Sequence, residues 1–312
     1  MLPESLRRLM AGVIDYAGLF PPAKLPLDEA LRNYTEYVNG PEAWLVSRFV
    51  IPVARLRDVE AHKEEFAAND RTMRFSVIGR GGETEAEFRR NLEQDAGEIR
   101  EFHTTHAGRC VADAFEVKAP AATVESGGLD RLLPEFGRLF GQQMSVFIEL
   151  HFGGDWRQSL PRAVAEIRAA GGAALKVRTG GVTAEAFPTV EQLALLMGEC
   201  VRLDLPFKAT AGLHHPVRWK DDEIGVWQHG FINLLVSAVL ARVHKLPSER
   251  IEDVLGETDA AAFRFDDDAV EWSGQRASLR QIEDGRRFVV SFGSCSAEEP
   301  IEDLAKLGYA LV

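Results

Sequence analysis

Cysteine is scarce in this chain of 312 residues. The three that occur, Cys110, Cys200 and Cys295, are scattered and form no CxxC pair. That argues against a disulfide framework and fits a reducing compartment. Long apolar runs are missing as well: none reaches the roughly 18 residues of a membrane span. The opening "MLPESLRRLMAGVIDYAGLF" has no sustained apolar stretch followed by a small-residue cleavage site, so a cytoplasmic location is expected. Basic tracts are absent, and the formal net charge is −12, which argues against nucleic acid or an anionic membrane as partner. No GxGxxG follows an early strand, which removes the dinucleotide fingerprint, and no HxH or HExxH occurs.

What remains is an ordinary globular composition, 46% hydrophobic and 27% charged, long enough to bury a core without a disulfide or metal staple. Short apolar or β-branched runs alternate with longer amphipathic ones. The candidate strands are "GVIDYAGLF", "WLVSRFVIP", "RFSVIGR", "DAFEVKAP", "SVFIELHF", "AALKVRTGG", "PFKATAGL" and "FVVSFGSCS". Helical periodicity lies between them, over Leu27–Val38, Glu85–Glu101, Leu129–Phe140, Leu160–Ala170, Ala184–Leu203 and Asp222–His244. Eight strands alternating with helices predict an α/β fold, a single (β/α)8 barrel over 1–312, with its site at the C-terminal ends of the strands. The connection between the seventh and eighth strands is long. Residues 213–287 are read as a helical insertion that serves as a lid or an oligomer contact, which leaves a homo-oligomer open.

Side chains alternate across a strand. In "ALKVRT", Leu175 and Val177 meet the helices, so Lys176 and Arg178 face the barrel interior. The same rule turns Lys208 and Thr210 inward in "PFKAT", Glu149 and His151 in "VFIELHF", and Glu116 and Lys118 in "AFEVKA". Four consecutive strands thus present acids and bases to one interior. A second cation and partial burial both disfavour an ammonium, so Lys208 is expected to lower the pKa of Lys176 and leave a neutral amine. Such an amine can form a Schiff base, with Glu116 or Glu149 moving protons. The competing reading is an ion-pair ladder that supports the barrel without catalysis.

These residues resemble the deoxyribose-phosphate aldolase family of class I aldolases. "SVFIELHF" is similar to the family's fifth strand, "ALKVRTGG" to its Lys-x-x-Thr-Gly strand, "LPFKATAGL" to its Phe-Lys-x-x-Gly-Gly strand, "SFGSCS" to its last strand, and "DAFEVKAP" to the strand that carries an aspartate. The resemblance runs from Asp113 to the C-terminus, the insertion excluded. It implies a Schiff-base role for Lys176 and a tuning role for Lys208. It also implies a proton relay at Glu116, where the family has the shorter aspartate. Thr179 falls within the lysine signature, and Gly293, Ser294 and Ser296 match a phosphate-binding loop ahead of a helix over Ala297–Leu307, a suitable anion site. No cofactor is required by that chemistry; the partner is a small, anionic carbonyl substrate. Leu213 stands in place of a second glycine, Cys295 in the middle of the last motif, and Arg178 where the family has a small residue. Arg178 could hold a carboxylate or phosphate with two parallel hydrogen bonds.

His214, His215 and the insertion have no counterpart in that family. Together with His151, Glu149 and Asp15 they offer an alternative, a metal-dependent barrel hydrolase, isomerase or lyase. A non-catalytic anion-binding barrel is the third reading. His229 and Asn233, one turn apart, are expected on a solvated face of the insertion helix or over the mouth; within the polar stretch "FRFDDDAVEWSGQR", the run "FDDDAVE" is expected to be a solvated turn.

Overall fold

The computed structural model describes residues 2–41, 43–64 and 71–309. Eight parallel strands close into a barrel: β1 (Ile14–Tyr16), β2 (Val46–Pro52), β3 (Met73–Ile78), β4 (Cys110–Lys118), β5 (Ser145–Leu150), β6 (Ala173–Arg178), β7 (Phe207–Thr210) and, after a long excursion, β13 (Val289–Ser294). Strand β13 closes the ring by pairing with β7 on one side and β1 on the other. The eight candidate strands of the sequence are these eight.

Helix α1 (Glu4–Met10) precedes β1, and helices α2 (Leu27–Asn39), α3 (Glu85–Thr105), α4 (Ala121–Ser126), α5 (Pro134–Phe140), α6 (Trp156–Ala170) and α7 (Val190–Leu203) lie between the strands and cover the outside. Two expected helices are shorter than their periodicity suggested, and prolines give the reason. Leu129–Phe140 divides into a 3-10 turn at Leu129–Arg131 and α5, which begins on Pro134 at the position where a missing N–H costs nothing. Ala184–Leu203 divides at Pro188; the helix proper starts only after Thr189, whose side chain and that of Gln192 bond each other's backbone N–H in a capping box.

The excursion between β7 and β13 is less helical than expected. It opens with a hairpin, β8 (Trp219–Asp221) and β9 (Val226–Gln228), where a continuous helix from Asp222 was read. The Asp221 side chain accepts the N–H groups of Glu223 and Ile224, and Gly225 takes a φ of +69°, so the chain turns instead of coiling. Helices α8 (Phe231–His244) and α9 (Ser248–Gly256) follow, then an antiparallel meander of β10 (Phe263–Phe265), β11 (Ala269–Trp272) and β12 (Gln275–Ser278). That meander takes in the run "FDDDAVE" read as a solvated turn. Ser273 and Gly274, both at positive φ, supply the two-residue hairpin loop, and Val270, Trp272 and Ala277 bury one face. Helix α10 (Leu279–Phe288) leads into β13, and α11 (Glu298–Lys306) completes the described chain.

Helix α8 is buried without interruption from Phe231 to Ala241 and packs on β13, α9 and α10. It is therefore a core helix of the outer layer, not a solvated face. Asn233 accepts the Arg218 N–H and donates to the carbonyls of Val254 and Glu257; His229, its imidazole pushed down to about 4 by burial, bonds the Pro188 carbonyl. Both are structural, far from the lid role considered for them. Among the described residues no helix is long and apolar enough to cross a membrane.

Candidate active site

Strands β6 and β7 pair so that Lys176 lies directly beside Lys208. From β7 the Lys208 ammonium reaches Asp15 Oδ2 on β1 at 2.5 Å and Glu116 Oε1 on β4 at 2.6 Å. Since β4 is three strands away, that contact can only cross the barrel interior, which places all three side chains on the axis. Lys176 Nζ lies 2.8 Å from Glu116 Oε2 and 2.9 Å from Glu149 Oε2 on the neighbouring strand. Both contacts are close ion pairs. One carboxylate thus bridges two lysines. Lys208 also stands over the Phe147 ring, 5.3 Å from its centroid.

The network extends beyond the residues singled out from sequence. Ser76 donates to Glu116 Oε1 and Ser291 to Asp15 Oδ2, at 2.6 and 2.7 Å. Below them Arg48 bonds Asp113 through two nitrogens and lies 4.0 Å from Asp15, and Arg74 also binds Asp113. Asp113 is an extra residue in β4: Phe75 pairs with Ala112 while Ser76 pairs with Ala114, a bulge that re-aims its carboxylate. From Arg74 through Asp113, Arg48, Asp15, Lys208, Glu116 and Lys176 to Glu149, the charges alternate in sign along the axis. The alternation rule would have found Arg48, Ser76 and Ser291 had it been applied to their strands. No sequence signal announced the bulge.

Lys176 departs from expectation in one respect. Burial pulls its pKa down, but the carboxylates of Glu116 and Glu149 outweigh that, so the ammonium is held above the ordinary lysine range. Glu116 itself, though burial favours its neutral form, is held well below the usual carboxylate range by the two lysines. Lys208 does not lower its neighbour because Glu116 sits between the two cations and cancels their repulsion. The resting site is a set of fixed ion pairs.

Of the remaining expected site residues, Arg178 and Lys118 end β6 and β4 at the rim, exposed. The Arg178 guanidinium reaches the Gly180 carbonyl at 3.4 Å. Thr179 is buried and donates to the Ala211 carbonyl at 2.5 Å, tying the ends of β6 and β7 together. There Gly180 and Gly212 meet backbone to backbone: a Cβ on Gly180 would lie 2.8 Å from Gly212 Cα, and Gly212 has a φ of +72°. Thr210, one inward position above Lys208, faces Gly293 and has a buried hydroxyl without a partner among the described residues. The hydroxyls of the last-strand loop turn to their own backbone. Ser294 donates to the Ser296 carbonyl, and Ser296 accepts the N–H groups of Glu298 and Glu299, capping α11.

The histidines and acids of the metal alternative do not converge. His151 lies 3.8 Å from Glu125, His215 bonds Asp303 at 2.5 Å and packs edge-on against Trp219, and Glu149 and Asp15 belong to the lysines. Among the described residues, the group of metal-ligand type is another one: His214, Cys295 and Glu299, whose ligand atoms lie within 4.8 Å of one another.

No protein-family model matches the chain, and no curated protein matches it. Its structure is similar to the tetrameric deoxyribose phosphate aldolase from Aeropyrum pernix, with a TM-score of 0.53 and 14% identity, covering 96% of this chain and 93% of that one. A looser likeness, TM-score 0.46 at 13% identity over 64% of this chain and 80% of the other, is to QR15, an aldolase. At such identities the likeness is one of fold: this chain is a (β/α)8 barrel.

Proposed function

We propose that the protein is a class I aldolase-like lyase in which Lys176 forms a Schiff base with a small, anionic carbonyl substrate, phosphorylated or carboxylated. The observation that carries the reading is the buried pair Lys176 and Lys208, in register on adjacent strands and bridged by Glu116. The fold of the Aeropyrum pernix aldolase over nearly the whole chain supports it.

The ion pairs supply a route for the protons. Glu149, the acid of the group nearest the solvent, takes a proton from the Lys176 ammonium 2.9 Å away as the carbonyl substrate enters. The free amine adds to the carbonyl carbon. A proton moves from nitrogen to the new alkoxide through Glu116, giving the carbinolamine, and Glu149 returns its proton to the departing hydroxyl, which leaves as water. The product is an iminium whose positive charge lies where the ammonium lay, between the same two carboxylates. The site is preorganised for that cation and needs little rearrangement to hold it. The electrons of the adjacent carbon–carbon bond then pass to the iminium as a carboxylate takes the β-hydroxyl proton. An aldehyde departs, the enamine carbon regains the proton, and water hydrolyses the imine. In this reading Thr210, its hydroxyl unpartnered among the described residues, meets a substrate hydroxyl, and Arg178 at the rim meets the anionic group.

The raised pKa of Lys176 favours a second reading, the charge ladder that only supports the barrel. Borohydride trapping with a panel of aldehydes and ketones, read by mass spectrometry, separates the two. The lyase reading expects a reduced adduct on Lys176 that Lys176→Ala abolishes. If no carbonyl adds to Lys176, or the alanine variant traps equally well, the ladder stands.

A further inference from the structure

Above β7 and β13 lies a second constellation that the lysine chemistry does not use. His214 follows the end of β7, Cys295 follows β13, and Glu299 stands in the first turn of α11. His214 Nδ1 is 3.1 Å from Glu299 Oε2 and 4.0 Å from Cys295 Sγ, and all three ligand atoms lie within 4.8 Å. A tetrahedral zinc with bonds of about 2.3 Å to sulfur and about 2.0–2.1 Å to nitrogen or oxygen would set the N–S edge at about 3.5 Å and the N–O edge at about 3.3 Å. The observed N–O and N–S separations differ from those edges by half an ångström or less, and the sulfur–oxygen pair, within 4.8 Å, closes by side-chain rotation as the ion binds.

We propose that His214, Cys295 and Glu299 bind a divalent transition-metal ion of the zinc class, with the fourth position open to water or a ligand oxygen. A thiolate, an imidazole and one carboxylate suit zinc and do not suit magnesium or calcium, which take oxygen donors. Both halves of the site are held in place by other groups. Ser294 and Ser296 fix the turn that carries Cys295 and Glu299, and the His215–Asp303 hydrogen bond anchors the loop that carries His214. Cys295 is 8% exposed while Glu299 is half in solvent, so an ion can enter from outside to a sheltered sulfur. The site lies on the C-terminal face of the barrel, where functional sites of this fold are built. It stands independently of the Schiff-base reading, and Lys176→Ala leaves it intact.

The test uses the full chain, stripped with chelator and titrated with Zn2+ and, separately, Co2+. One equivalent is expected to bind, and cobalt should give a thiolate-to-metal charge-transfer band in the near ultraviolet. Cys295→Ser should remove the band and weaken zinc at least about 100-fold, the upper end of what losing even an outer partner costs. Glu299→Gln, at an exposed position, should weaken zinc with an unchanged circular dichroism spectrum. Zinc should also shield Cys295 from iodoacetamide; Cys110 and Cys200, whose thiols burial pushes up, stay unreactive throughout. The proposal is overturned by absence of saturable binding, by binding that survives Cys295→Ser, or by alkylation at one rate with and without zinc.

Discussion

On the barrel axis Asp15, Glu116, Lys176 and Lys208 are at most 4% exposed, and each carboxylate lies against a cation. At the rim, Arg178, Lys118 and Glu299 carry the same kinds of charge exposed to solvent. The difference lies in desolvation. An ion taken out of water costs several kcal/mol, so every axial charge needs its partner held at contact distance, and removing one strands the other. Rim charges are screened and contribute little to folding. The axis therefore couples the proposed chemistry to stability, whereas the rim can change with the substrate at small cost to the fold.

Glu116→Gln attacks that contrast hardest. It leaves two buried ammoniums with one acid each, and an expected loss of about 3–5 kcal/mol, read by urea denaturation. A loss under about 1 kcal/mol would place the axis in the same class as the rim. The pH dependence sharpens the point. The folded pKa of Glu116 is depressed, so its contribution is present above the ordinary glutamate value of about 4.3 and fades as pH falls through the lower folded value. That of Lys176 is raised, so its contribution is present below the ordinary lysine value of about 10.4 and fades as pH rises beyond it. The stability gap between the wild type and Glu116→Gln should therefore be level from about pH 5 to 10 and close only outside that window.

How much of this was legible in the sequence follows the same division. Period-two alternation placed Lys176, Lys208, Glu116 and Glu149 correctly, because a strand buried on both faces has no other place for a charge than the barrel interior. It said nothing of which charges would touch, since contacts across the barrel depend on strand stagger and on the Asp113 bulge. That is why the bridging position of Glu116, and with it the raised pKa of Lys176, was missed. In the excursion the polar meander β10–β12 was hidden by short strands and by aspartates that look solvated but cap turns, as Asp266 does for Asp268 and Ala269. Helix α8 was misjudged for a related reason: His229 and Asn233 look like a polar face, yet Asn233 is spent on backbone groups and His229 turns one ring nitrogen to the Pro188 carbonyl.

Thr210→Val tests an axial residue whose polar atom is unmatched. Its buried hydroxyl lacks a partner among the described residues, so replacing it with an isosteric methyl is expected to leave stability unchanged or raise it slightly. If the hydroxyl binds substrate, kcat/KM should fall about tenfold, one neutral hydrogen bond's worth. A drop in stability without a change in kcat/KM would show that the hydroxyl serves the barrel after all.

The smallest effect is expected at the rim. Arg178 is exposed and makes one long contact with a carbonyl, so Arg178→Ala should shift stability by no more than about 0.5 kcal/mol. Its guanidinium can still meet an anionic substrate at the mouth. The variant should raise KM several-fold with kcat nearly unchanged, because such a contact is equal in the ground and transition states. Added salt should erase most of the difference, since a solvent-exposed pair is screened within about 10 Å at 0.1 M. A loss of kcat instead would mean that Arg178 acts on the reacting atoms. Its charge would then belong with the axis, and the boundary between fixed interior ions and a variable rim would lie one residue further out along β6.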